Sequence, residues 1–87
     1  MPLNFPNPSR SYDARYRQIR FWGYDSALVI PFFLDVGALG ALNPETRHTE
    51  AAYLSAFDAT VERIHAAARK VYVRGRRASY LLAAEDM

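Results

Sequence analysis

The chain contains no cysteine, two histidines, and four glycines scattered at positions 23, 37, 40 and 75. Without cysteine, a disulfide scaffold, a thiolate zinc site and a cysteine nucleophile are all excluded. The scattered glycines build no phosphate-cradling loop. Ser9, Ser11, Ser26, Ser55 and Ser79 sit in no glycine-flanked elbow, and neither His48 nor His65 has an orienting partner nearby in the sequence. Nucleophilic catalysis is therefore unsupported, and a protein that is not an enzyme is expected. Long hydrophobic runs are also missing. The longest, Ala27 to Leu34, is interrupted by Pro31 and falls far short of the roughly 20 residues that span a bilayer. The start, Met1-Pro2-Leu3-Asn4-Phe5-Pro6, lacks the basic stretch and apolar core of a secretory signal. A cytoplasmic protein with no cofactor and no membrane partner is the expectation.

Charge of one sign is scarce as well. Eleven Lys and Arg against nine Asp and Glu give a net charge of +2, which does not by itself imply nucleic acid or an acidic membrane. What the 87 residues do hold is apolar material: 51% hydrophobic and 14% aromatic. That composition argues for a packed core in a single domain spanning 1–87. In so short a chain it also leaves apolar surface that is hard to hide, so self-association is in view from the start.

Residues 1–11, rich in proline, asparagine and serine, read as an irregular lead-in in which only Leu3 to Phe5 could add an edge strand. Tyr16 to Trp22 and Ala27 to Phe33 have the aromatic and branched content of strands, with Gly23-Tyr24-Asp25-Ser26 as the turn of an antiparallel hairpin. Pro31 has no N–H to give and belongs at an unpaired edge position or a bulge. Asp35 suits the N-cap of a short helix weakened by Gly37 and Gly40. Asn43-Pro44-Glu45 looks like a second helix start, with Thr49 as the alternative cap.

From Glu50 to Tyr72, Leu54, Phe57, Val61, Ile64, Ala68 and Val71 recur at spacings of three and four. The spacing predicts one long helix, roughly 35 Å at about 1.5 Å per residue. Gly75 suits a left-handed position beyond its end, and Ser79 to Ala84 reads as a last strand. The resulting architecture is α+β: an antiparallel three- to four-stranded sheet, made of the N-terminal hairpin plus the C-terminal strand, packed against one long helix. A short helix sits in the connection. The helix would cover Ile19, Phe21, Leu28 and Ile30, with Arg17 at the end of that face and Arg20 on the other.

Asn4-Phe5-Pro6-Asn7-Pro8-Ser9-Arg10-Ser11-Tyr12-Asp13, Ile19-Arg20-Phe21-Trp22-Gly23, Ile30-Pro31-Phe32-Phe33, and Tyr72 through Gly75 to Ser79-Tyr80-Leu81-Leu82 carry a resemblance. Over nearly the whole chain they resemble a family of short bacterial proteins known as domain of unknown function 1488. The resemblance implies a compact α+β fold and a bacterial source. It implies no activity, cofactor or catalytic residue.

Three groups of residues invite a functional reading. Asp58, Glu62 and His65 share one helical face, and Glu62-x-x-His65 has the spacing of carboxylate-bridged metal helices. A dinuclear site needs a second such helix, which the chain lacks, so a solvated polar stripe with Ser55 and Arg69 is the expected reading and no metal is assigned. Arg69, Lys70, Arg74, Arg76 and Arg77 form an acid-free cluster, with Tyr72 and Tyr80 on either side of the turn. Arginines on phosphates and a tyrosine stacked on a base would suit nucleic acid. The plainer role is complementing the negative end of the helix and keeping a turn soluble. Third, Trp22, Tyr24 and Phe33 surround the hairpin and cannot all face one thin core, and such aromatics are favoured at protein interfaces.

The leading expectation is a non-catalytic interaction or accessory module that binds itself, as a homodimer, or another protein. The alternative is a nucleic-acid-binding accessory protein using segment 69–77. The dimer would form through the sheet face turned from the helix, carrying Trp22, Tyr24, Val29 and Phe33, unless Phe5 and Pro6 fold back over that face.

Overall fold

The computed structural model describes residues 3–5, 10–75 and 79–86. Four strands, β1 (Arg10–Asp13), β2 (Gln18–Asp25), β3 (Leu28–Asp35) and β4 (Tyr80–Leu82), form one sheet in the order β1-β2-β3-β4. Three helices, α1 (Val36–Leu42), α2 (Glu50–Ala59) and α3 (Val61–Arg74), lie between β3 and β4 in sequence, and a short 3-10 turn (Ala84–Asp86) follows β4. The fold is α+β, but the sheet is mixed. β1, β2 and β3 are antiparallel neighbours, whereas β4 runs parallel to β3. The expected purely antiparallel sheet fails at β4 because the helical crossover returns the chain to the end of the sheet where β3 began.

The N-terminal region is only in part the expected lead-in, and Leu3 to Phe5 does supply an edge pairing, through Asn4. Arg10 and Ser11 belong to β1, and Asn4 makes an isolated antiparallel bridge with Tyr24, with Asn4 N–H donating to Tyr24 O at 2.8 Å and Tyr24 N–H to Asn4 O at 2.7 Å. The hairpin turn sits at Ser26-Ala27 rather than Gly23-Ser26, and Ser26 takes the positive φ of 56° that a tight two-residue turn demands. Gly23 lies within β2 instead. A Cβ there would stand 2.9 Å from Leu3 Cδ1 and 3.0 Å from Phe5 Cε1, so the glycine makes room for the N-terminal segment to cross the sheet. Ladder alternation turns the Pro31 nitrogen towards the β4 side, one residue before pairing with β4 begins at Phe32. Its missing N–H costs no ladder bond there.

The predicted long helix is two. Thr60 interrupts it: its hydroxyl donates to Ala56 O at 2.8 Å, and its N–H is shared between Ala56 O and Phe57 O. A threonine bonding back onto the preceding turn bends a helix without glycine or proline. The two pieces are about 15 and 21 Å long at 1.5 Å per residue. Thr49, not Asn43, caps α2, its Oγ1 accepting from Ala52 N–H at 3.2 Å. Asn43 instead starts a turn, its side chain accepting from Glu45 N–H. Asp35 caps α1 as expected. Gly75 ends α3 in an extended conformation with φ 171°, not the left-handed one.

Among the described residues, α1, α2 and α3 pack on one side of the sheet. The core joins Ile19, Phe21, Phe32, Leu34, Tyr80 and Leu82 of the strands to Leu39, Phe57, Ile64 and Ala68 of the helices, all buried. Leu28 was expected under the helix, but it lies at the hairpin tip beyond the helical cover and is 59% exposed. No helix among the described residues is long and apolar enough to cross a membrane.

Candidate functional site

Strand alternation assigns each sheet residue to a side. Ile19, Phe21, Gly23 and Asp25 face the helices, so Gln18, Arg20, Trp22 and Tyr24 face away. Their β3 partners Asp35, Phe33, Pro31 and Val29 lie on the same side, Asp35 at the strand's end, and Leu81 continues the row on β4. This open face therefore carries six apolar or aromatic side chains side by side: Trp22, Tyr24, Val29, Pro31, Phe33 and Leu81. Val29 is 51% and Leu81 58% exposed, while the others are half-buried. Arg20 lays its guanidinium over the Trp22 ring, 5.2 Å from its centroid. A shallow hollow of about 410 Å³ lies among Gln18, Arg20, Phe33 and Leu81. Trp22, Tyr24 and Phe33, singled out from the sequence, are thus brought onto one surface.

The described N-terminal residues, Leu3 to Phe5, do not cover that surface. Leu3 is buried in the core, and Phe5 stacks on His65 of α3, touching Phe21 and Phe32 as well. Arg69 Nε donates to Leu3 O at 3.1 Å and its guanidinium lies 5.2 Å from the Phe5 ring centre. Leu3 and Phe5 are therefore held on the helix side. Pro6 lies outside the described residues.

The polar stripe on the long helix does not converge. Asp58 on α2 forms a bidentate ion pair with Arg10 of β1, at 2.7 and 2.8 Å, which raises the Arg10 pKa chiefly through that hydrogen bond. His65 on α3 stacks against Phe5 instead, and burial together with Arg69 lowers its pKa below the ordinary value. Glu62 remains exposed. The break at Thr60 separates Asp58 from the other two, and the described residues hold no cluster of three or more potential metal ligands.

The basic segment is partly engaged within the fold. Arg69 holds the N-terminal segment. Tyr80 is only 3% exposed, stacks on Phe32 and donates its hydroxyl to Gly75 O at 2.8 Å, so its ring offers no free face to a base. Tyr72 is buried too, with its hydroxyl donating to the buried carboxylate of Asp25. Lys70 and Arg74 remain exposed on α3, and Arg76 and Arg77 lie outside the described residues.

A second arrangement went unread in the sequence. The turn before β2, the start of α1, the 43–49 connection and α2 enclose a cleft of about 350 Å³ lined by Arg17, Asp35, Gly40, His48 and Tyr53, among others. Its members come from four separate segments, so no local pattern could join them.

Compared with known proteins, the chain matches a family model, described as Protein of unknown function (DUF1488), over residues 3–83. No curated protein matches it. No solved structure matches it.

Proposed function

The chain belongs to the DUF1488 family, and we propose that it is a non-catalytic interaction module that pairs with a second copy of itself through the open face of its sheet. The observation that carries this reading is the division of the sheet. All three helices and the segment Leu3–Phe5 occupy one side, while Trp22, Tyr24, Val29, Pro31, Phe33 and Leu81 share the other. A continuous apolar face is uncommon on a monomer.

A second copy suits this face because the face is its own complement. An apolar centre is bordered by one cation, Arg20, and by the carboxylates of Asp13 and, at the end of β3 opposite Gln18, Asp35, so a two-fold pairing can set Arg20 of each copy against an acid of the other. Strands of four, eight, eight and three residues, about 4.8 Å apart and rising about 3.3 Å per residue, make a surface of roughly 360 Å². Two such faces bury about 700 Å², below the area of a standard stable interface, which implies a weak and reversible dimer. Sedimentation velocity at about 10 and 200 µM tests this: a rising sedimentation coefficient that Trp22→Ser abolishes supports it. A concentration-independent monomer contradicts it. Nuclease-sensitive co-purification of the unpaired chain would favour the basic segment instead.

A further inference from the structure

The cleft beside α1 is lined by two opposite charges that form no ion pair with each other. Arg17 and Asp35 both border it, yet the only ion pair among the described residues is Arg10–Asp58. Arg17 presents its guanidinium from an unusual backbone: φ is 53°, a left-handed conformation that costs a residue with a Cβ about 1 kcal/mol or more. The turn is fixed in place by two bonds. Asp13 Oδ1 accepts from Arg15 N–H at 2.9 Å, and Val36 N–H donates to Arg17 O at 3.1 Å, tying it to the first residue of α1.

The far wall is equally defined. Tyr53 is buried, and its hydroxyl shares a 2.8 Å hydrogen bond with His48 Nδ1, leaving the second imidazole nitrogen uncommitted by that contact. The same hydroxyl faces Arg17, whose pKa is raised first by hydrogen bonding to Tyr53 and further by Tyr12 and Asp35. Gly37 and Gly40, three apart, present one bare side of α1 to the cleft. A Cβ at Gly40 would meet nothing within 4 Å. Two glycines in a seven-residue helix cost helical stability, and here they keep this wall open.

We propose that this cleft binds a small zwitterion of the free amino-acid class. The carboxylate lies on the Arg17 guanidinium, with His48 and Tyr53 at its side, and the ammonium donates to Asp35. Arginine supplies the forked donors that a carboxylate accepts. A plain anion would be repelled by Asp35, and a plain amine by Arg17, so only a ligand bearing both charges gains from both residues. The volume falls at the low end of small-molecule sites, roughly 300–1,000 Å³.

The experiment is a titration of the full chain with a panel of free L-amino acids, with acetate and methylammonium as single-charge probes, followed by backbone amide shifts. At least one amino acid should move Val36, Gly37, Gly40 and Thr46 saturably at millimolar concentration. Acetate and methylammonium should bind about tenfold more weakly or worse. Arg17→Gln and Asp35→Asn should each weaken the amino acid about tenfold, the asparagine keeping the helix cap. Gly40→Leu should close the cleft and abolish binding while amides outside it stay in place. Saturable shifts with no member of the panel would overturn the proposal, as would acetate binding as well as the amino acid or affinity unchanged in Arg17→Gln.

Discussion

The Phe5 ring lies flat on the imidazole of His65, with ring centroids 3.8 Å apart and planes inclined by 6°. This stack fixes which side of the sheet Leu3 and Phe5 cover. Leu3 and Phe5 fill the helix side, where Gly23 leaves them space, and so do not cover the aromatic row on the other side.

The stack makes stability depend on pH through His65. Burial and Arg69 lower its pKa, so the folded state favours the neutral ring and binds its proton less readily than the unfolded chain. The full contribution is present above the ordinary histidine value of about 6.5. It declines as pH falls from there through the lower folded value, and then levels off. Urea midpoints measured between about pH 7.5 and 5 should fall, and His65→Gln should flatten that part of the curve. An identical slope in the variant would show that another group is responsible.

Gly23→Ala tests the crossing of the N-terminal segment over β2. The added methyl would press on the Leu3 and Phe5 side chains at 2.9 and 3.0 Å. Since Leu3 is buried, it has little room to yield, and a loss of roughly 1–3 kcal/mol is expected. Shortening Leu3 to alanine in the same chain should recover part of it, because the clash is specific. Equal stability of Gly23→Ala and the parent would mean that the segment is not packed there.

Phe57 anchors α2 to the sheet, edge-on to Phe21 at 5.2 Å and almost fully buried. Phe57→Ala should cost on the order of 3–5 kcal/mol. In urea titration, a loss below about 1 kcal/mol would place this side chain outside the core.

Much of this packing was legible because burial imposes period. Phe57, Ile64 and Ala68 recur at helical spacing and are buried, and Ile19 and Phe21 alternate as a half-buried strand does. The errors fall where a distant partner decides. Gly23 reads locally as a turn residue, yet it serves Leu3 and Phe5, some twenty positions earlier. The real turn at Ser26-Ala27 has no glycine to announce it. Thr60 carries no breaker signal, since its effect comes from a hydroxyl bonding back to Ala56 O. The direction of β4 depends on how three helices cross the sheet, which no periodicity records. The cleft around Arg17 was invisible for the same reason: Arg17, Asp35, His48 and Tyr53 meet only in the fold.

The pairing of the open face is tested most directly by dilution. Amide and indole resonances should be followed from about 500 down to 20 µM, a range that spans the reversible dissociation expected of so small an interface. The account predicts that the Trp22 indole and the amides of Arg20, Val29, Phe33 and Leu81 shift together with concentration. Those of Phe5, His65 and Lys70 should stay fixed, and Trp22→Ser should remove the dependence. Spectra that do not change with concentration, or changes confined to Lys70 and Arg74, would contradict it.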